Sequence, residues 1–254
     1  MSKIFSFSNE RILIAGVNGM VGSAVKRAFL NLKNKEEVDF QILTPSRQEL
    51  DYSNFNKVLE WFEEFKPTIV IVAAAKVGGI YANKSNPKDF LLDNLRIQNN
   101  LIEISHIKGI KRLLFLGSSC IYPKNVDQPI KEEYLLSGEL EKTNESYAIA
   151  KIAGIKLCEA FRKQCDFDAI CLMPTNLYGP GDNYNLQNSH VLPALIRKFY
   201  EAKENNLKSV TCWGTGEPRR EFLHVDDIAD ACIFALLKFN PPIFNDLIYL
   251  NVGT

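Results

Sequence analysis

The sequence predicts an α/β protein organised on a doubly wound parallel sheet, and three observations predict it. Short apolar runs recur along the 254 residues with helical stretches between them. That alternation places parallel strands in a central layer with helices on both faces. The first apolar run stops at three closely spaced glycines that open a helix. The fourth apolar run ends in small and hydroxyl-bearing residues, where ligands gather in such sheets.

The elements follow in order. Arg11 to Ala15 is the first strand, and Gly16-Val17-Asn18-Gly19-Met20-Val21-Gly22 is the turn after it. A helix is expected from Val21 to about Leu32, with Val25, Ala28, Phe29 and Leu32 on one face. In a strand-glycine-helix unit the first glycine allows the tight turn and the second lets a phosphate approach the backbone. The third lets helix and strand lie close, and the helix N-terminal amides then point at the anion. The spacing here is G-x-x-G-x-x-G, and it predicts a dinucleotide site. A glycine-rich turn with no ligand is the other reading.

The second apolar segment, Phe40 to Thr44, ends in Pro45-Ser46-Arg47. NAD-preferring proteins place an acidic residue here against the ribose 2′-hydroxyl. A guanidinium at Arg47 suits a 2′-phosphate instead, so NADP is expected, with an ordinary surface arginine as the alternative. An amphipathic helix from about Phe55 to Phe65 leads to a buried strand, Thr68 to Ala73, and a small-residue loop, Ala74 to Gly79. A long helix from about Pro87 to Ile107 and a strand from Arg112 to Leu116 complete this half. At that strand's end stand Gly117-Ser118-Ser119-Cys120-Ile121-Tyr122-Pro123, where chemistry would be placed. A polar turn with a buried cysteine is the plain alternative.

Tyr147 and Lys151 stand four apart on a helical run, which puts them one above the other on one face. An ammonium beside a phenol favours the phenolate, so the pair is a candidate proton donor with a lowered pKa. Such pairs also occur by chance on exposed helices.

Composition excludes several classes. Lys plus Arg and Asp plus Glu each number 30, and the pI is near 6.8, so no basic field points to nucleic acid or an anionic membrane. No apolar run reaches the roughly 20 residues needed to span a bilayer. Asn9-Glu10-Arg11 interrupts any secretory pattern at the start. The six cysteines form no C-x-x-C pair and the three histidines are widely spaced, so no metal site and no disulfide framework is expected. A reduced, cytoplasmic protein is the expectation.

In this order, the glycine triplet, the Ser118 strand end and Tyr147/Lys151 resemble the extended short-chain dehydrogenase/reductases, which have a Rossmann-type sheet. Longer stretches narrow the resemblance: AAAKVGGI at 73–80, LFLGSSCIYPK at 114–124, YAIAKIAGIKLCE at 147–159, MPTNLYGP at 173–180, Asn188-Ser189-His190, and REFLHVDD at 220–227. Over essentially the whole chain they resemble the GDP-L-fucose synthase family of NADPH-dependent epimerase-reductases.

The resemblance implies two chemistries on a GDP-linked 4-keto-6-deoxy sugar. Cys120 and His190 would exchange protons at C3 and C5. Ser118, Tyr147 and Lys151 would serve the reduction at C4, Tyr147 protonating the oxygen and Lys151 holding the nicotinamide ribose. Leu116, Gly117, Ser119, Pro174, Thr175, Asn176, Leu177 and His190 would also line the cofactor, with Lys198, Trp213 and Arg220 on the substrate. Read without the family, Cys120 is core packing, His190 a cap or surface hydrogen bond, and Lys198 part of a solvated helix face. The resemblance further implies a homodimer through the helices bearing Leu95 and Ile155.

The expected division is an NADP-binding unit over 1–175 and a substrate-binding region over 176–254, with 221–254 returning partly to the first unit. Family members continue for several dozen residues beyond Thr254. The substrate domain is therefore expected to be truncated, and such a chain to bind NADPH better than it turns over substrate. The rival readings are a 4-reductase or epimerase of another nucleotide-linked keto sugar, with Cys120 and His190 idle, and a non-catalytic NADP-sensing protein.

Overall fold

The structure is a computed structural model, and it describes residues 5–254 except 187, 213 and 242–247. Its elements in order are β1 (Arg11–Ala15), α1 (Met20–Glu36), β2 (Gln41–Leu43), α2 (Phe55–Phe65), β3 (Ile69–Val72), α3 (Ile80–Ser85), α4 (Pro87–Ile107) and β4 (Arg112–Leu116). They continue with α5 (Glu145–Cys165), β5 (Ala169–Pro174), β6 (Asn176–Tyr178), α6 (Val191–Glu204), β7 (Phe222–His224), α7 (Val225–Lys238) and β8 (Tyr249–Val252).

Six strands form one parallel sheet in the order β2-β1-β3-β4-β5-β8, and β6 pairs with β7 in a small second sheet. Strand residues alternate between two apolar cores, as a period of two requires. Leu13, Val70, Val72, Leu113, Phe115 and Cys171 face the core under α2, α4 and α5. Ile12, Ile14, Ile69, Ile71, Leu114 and Ile170 face the core under α1 and α7. These strands are apolar on both sides because helices cover both faces. Each fully buried Leu, Ile or Val stabilises by about 1.5–3 kcal/mol.

One helix departs from its expected bounds: α1 runs four residues beyond Leu32, ending at Glu36 with basic Lys33 and Lys35 in its last turn, where they favour the dipole. A short helix, α3, follows the expected Ala74–Gly79 loop, rising from Gly79. Strand β5 runs through Pro174, where proline's missing N–H falls at the strand's end.

Candidate active site

The chain leaves β1 for β2 on one side and β3 on the other, so the carboxyl ends of β1 and β3 flank the crevice where ligands bind such sheets. Gly16 sits in this crevice with φ of +91°, a conformation that side chains rarely adopt. A Cβ there would lie 2.6 Å from the Ala74 amide nitrogen. A Cβ on Gly22 would lie 2.6 Å from the Gly16 carbonyl carbon, so only glycine lets α1 begin against the turn. Gly19 is the N-cap of α1, with no side chain bonded to the first-turn amides and no acidic residue in that turn. Amides left open at a helix N-terminus are a binding place for a phosphate. Val17 is buried, whereas Asn18 is exposed, and Met20 and Val21 are half-buried at the rim. Arg47 lies exposed in the turn beyond β2. A cradle closed to a Cβ at Gly16 and Gly22, with a cation past its second strand, fits a dinucleotide carrying an extra phosphate. Tyr52, on the same connection, is buried against the Gly16 backbone.

The second group sits at the end of β4. Leu116 and Gly117 are buried, and Ser118 is the N-cap of a 3-10 turn over Ser119–Ile121, its Oγ accepting from the Cys120 amide at 3.4 Å. Helix α5 brings up Tyr147 and Lys151 in its first two turns. It reaches β4 closely because of Gly154, where a Cβ would come 2.5 Å from the Phe115 ring. The Lys151 ammonium is almost fully buried, donates to the Leu116 carbonyl at 2.7 Å, and lies 4.7 Å from the Phe115 ring centroid.

Burial sets the protonation states. It pushes the Cys120 thiol up to about 11, against the opposing Ser118 hydroxyl and Lys151 charge. It lowers Lys151 to about 8. It also raises the Tyr147 phenol, and Cys120 adds to that rise. The expectation that Lys151 lowers the Tyr147 pKa is therefore corrected. The ammonium lies 5.8 Å from the Tyr147 ring centroid and is bonded to Leu116, so desolvation outweighs its field.

His190 reaches the crevice by another route. The Gly79 amide donates to the Asn188 carbonyl at 3.0 Å, and the absent Gly79 Cβ leaves space for Ser189, so 188–190 docks on the loop after β3. His190 then caps α6 without a side-chain cap bond. Desolvation holds its imidazole below the ordinary value, and Asp182 opposes that. Among the described residues no hydrogen bond or ion pair joins His190 to Cys120.

Pro174 ends β5 and is buried. Thr175 Oγ1 and Asn176 Nδ2 each donate to the Glu221 carbonyl at 3.0 Å, and Leu177 joins the core under α1 and α7. Lys198 is half-buried on α6 and donates to the Thr211 carbonyl at 3.3 Å. Arg220 is exposed and donates to the neighbouring Arg219 carbonyl at 2.7 Å. Trp213 lies outside the described residues.

Sequence reasoning passes over the polar face of α4. Buried Asn94 exchanges hydrogen bonds with the Lys76 backbone at 2.8 and 3.0 Å, which fixes the loop after β3. Buried Gln98 donates to the Ala150 carbonyl at 2.6 Å, beside Lys151. Their spacing of four along an otherwise core-facing stripe was the available signal.

A family model described as the NAD dependent epimerase/dehydratase family matches residues 12–245. The chain belongs to that family. This family member is 51% identical to GDP-L-fucose synthase 1 of Arabidopsis thaliana, over 100% of this chain and 76% of that protein. A GDP-6-OMe-4-keto-L-xylo-heptose reductase from C. jejuni superposes with a TM-score of 0.87 at 35% identity, covering 99% of this chain and 80% of that one. A GDP-L-fucose synthetase from Naegleria fowleri bound to NADP gives 0.84 at 28% identity, covering 99% and 79%. These likenesses agree with the Rossmann-type parallel sheet and the dinucleotide cradle.

Proposed function

We propose that this chain converts GDP-4-dehydro-6-deoxy-D-mannose to GDP-L-fucose, by 3,5-epimerisation followed by NADPH-dependent reduction at C4. The observation that carries the reading is the Lys151 bond to the Leu116 carbonyl, which pins the start of α5 beside the Ser118-Cys120 turn. A phenol, a hydroxyl, an ammonium and a thiol then share one desolvated site next to the glycine cradle.

The 4-keto group acidifies the hydrogens on C3 and C5, so a modest base suffices when the oxyanion is held. At neutral pH His190, its pKa lowered, is a neutral acceptor, and Cys120, near 11, is a protonated donor. Those opposite states suit removal of a proton by one group and its return by the other. For the reduction, NADPH supplies the hydride when bound. Ser118 and Tyr147 hold the substrate oxygen, and Tyr147 delivers the proton that completes the alcohol. Lys151 replaces the proton lost from that region and holds the ribose, which requires it to exchange the Leu116 carbonyl for the ligand. Lys198, Trp213 and Arg220 are assigned to the nucleotide sugar.

The division at 175/176, a homodimer through α4 and α5, and a cytoplasmic setting belong to the same proposal. Exposed Leu92 and Ile149 on those helices support the dimer. The described cysteines, all free, support a reducing compartment. Among the described residues no helix is long and apolar enough to cross a membrane.

One observation favours a second reading. Cys120 and His190 share no bond, and a reductase of another GDP-linked keto sugar superposes well, so a 4-reductase with both residues idle is the competitor. Supplying GDP-4-keto-6-deoxy-D-mannose with NADPH in deuterated water separates the two. Deuterium at C3 and C5 of a fucose product supports the proposal. A reduced product without it selects the competitor, and no reduction of this sugar rejects the proposal.

A further inference from the structure

The 3-10 turn that carries Ser118 and Cys120 is weakly held by its own bonds. Its two backbone bonds, Ile121 N to the Ser118 carbonyl and Tyr122 N to the Ser119 carbonyl, are each 3.3 Å, and the Ser118 side-chain bond is 3.4 Å. Such lengths lie beyond the usual 2.7–3.2 Å range and stabilise little. Three bonds just outside the turn are shorter. The Tyr122 hydroxyl donates to Asn251 Oδ1 on β8 at 2.6 Å. The Asn251 amide Nδ2 donates to the Ile130 carbonyl at 3.0 Å, and its backbone N–H donates to Glu132 Oε1 at 2.9 Å. Tyr249, two residues back on the same strand, donates its hydroxyl to the Glu132 carbonyl at 3.3 Å. Asn251 is itself fixed opposite Met173 by the β5–β8 ladder.

One asparagine side chain thus joins both ends of the segment that leaves the site at Tyr122 and passes Ile130 and Glu132. Tyr122 is 4% exposed, so its hydroxyl is costly to leave unpaired, and the bond to Asn251 is correspondingly strong in its effect on position. The phenol pKa is raised by burial first and by the Glu132 carboxylate second, which keeps it a hydrogen-bond donor.

We infer that Tyr122 and Asn251 are positioning residues, a brace from β8 that holds the Ser118-Cys120 turn in register with Tyr147 on α5. The inference rests on the reaction proposed above for its turnover readouts, but the thiol readout is independent of it. When the brace is released, the turn relaxes, Cys120 becomes more accessible, and the hydroxyl and thiol leave their places beside Tyr147. The glycine cradle, on β1 and α1, is untouched.

The test uses the full chain with Tyr122→Phe, Asn251→Ala and the double variant. Tyr122→Phe keeps the ring that fills the core and removes only the donor. Three quantities are read: NADPH affinity, turnover with deuterium incorporation, and site-resolved iodoacetamide labelling of each cysteine. Losing one buried hydrogen bond corresponds to about a tenfold change, so Tyr122→Phe is expected to lose about tenfold in kcat and to gain about tenfold in Cys120 labelling, and Asn251→Ala, which also gives up the Ile130 bond, to change both at least as much. NADPH affinity stays within about twofold, and the fully buried Cys158 and Cys232 stay unreactive. Because the two residues act through one bond, the double variant is no worse than the poorer single.

Wild-type Cys120 labelling in both single variants overturns the brace. So do independent, additive effects. Loss of NADPH binding together with labelling of Cys158 and Cys232 also overturns it, since the pair would then support the fold as a whole. If the unaltered chain does not turn over the GDP-keto sugar, the functional reading fails, while labelling and NADPH affinity still decide the brace.

Discussion

The Lys151 ammonium donates to the Leu116 carbonyl at 2.7 Å, while the ring of Tyr147, one helical turn earlier, has its centroid 5.8 Å from the same nitrogen. The lysine is thus bonded to the end of β4 rather than to the phenol it would assist. Burial without a carboxylate partner lowers its pKa to about 8.

A stability test follows from that shift. The folded pKa lies below the ordinary lysine value of 10.5, so between about 8 and 10.5 the unfolded chain binds the extra proton and stability rises with pH. Below about 8 both states are charged and the full desolvation penalty is present. Relative to Lys151→Met, the wild type is expected to gain thermal stability between about pH 7.5 and 10 in paired unfolding scans. A constant difference between the two proteins over that range would contradict the burial argument. The same variant should lose about 10²–10⁴-fold in reduction rate, the usual contribution of a positioned proton-transfer group.

Cys120 separates the two proposed chemistries. Cys120→Ala is expected to suppress deuterium exchange at C3 and C5 by about 10²-fold or more, while NADPH binding stays unchanged. Mass spectrometry of substrate recovered from deuterated water measures this directly. Exchange at the wild-type rate would remove Cys120 from the epimerisation.

Arg47 tests cofactor choice. It is exposed at the turn beyond β2, so its removal should leave the fold intact. Arg47→Ala is expected to weaken NADPH by about tenfold and leave NADH unaltered, because a charge-assisted bond to a phosphate is worth about 1.5–3 kcal/mol at most when well formed. Fluorescence titration with both cofactors reads the ratio, and equal loss for both would mean that Arg47 does not meet the 2′-phosphate.

The cradle predicts a loss of affinity from a single methyl group. Gly22→Ala places a Cβ 2.6 Å from the Gly16 carbonyl carbon, with only backbone to give way. Overpacking of this kind costs about 1–3 kcal/mol, so a lower melting temperature and weaker NADPH binding should appear together. Normal binding in a fully stable Gly22→Ala protein would show that the turn can move freely.

Much of this fold is legible in the chain because its signals are local. The buried runs at 69–72 and 112–116, the three glycines and the helix from Pro87 give the order of layers without any distant contact. The requirement at Gly22 is also local, since it is set by the Gly16–Val17 backbone of the same turn, whereas Gly16 is closed as well by Ala74 from the next strand's end. Arg47 and the Tyr147/Lys151 spacing are legible for the same reason. The polar core face of α4 is not, because Asn94 and Gln98 read as solvent-facing until Lys76 and Ala150 are brought to them.

By itself, the sequence determined the alternation of strands and helices, the dinucleotide turn, the candidate Ser118, Cys120, Tyr147, Lys151 and His190, and the family likeness they carry. Only the tertiary structure decided their electrostatic state. Tyr147 is raised instead of lowered, Cys120 stands near 11, and Lys151 near 8, because desolvation is collective and depends on everything that covers a group. Only the tertiary structure decided the Tyr122–Asn251 bond as well. Its partners lie 129 positions apart, and nothing in either local pattern names the other. Spacing fixes which face a residue occupies, while the charge it carries and the partner it meets are set by chain segments that the fold alone brings together.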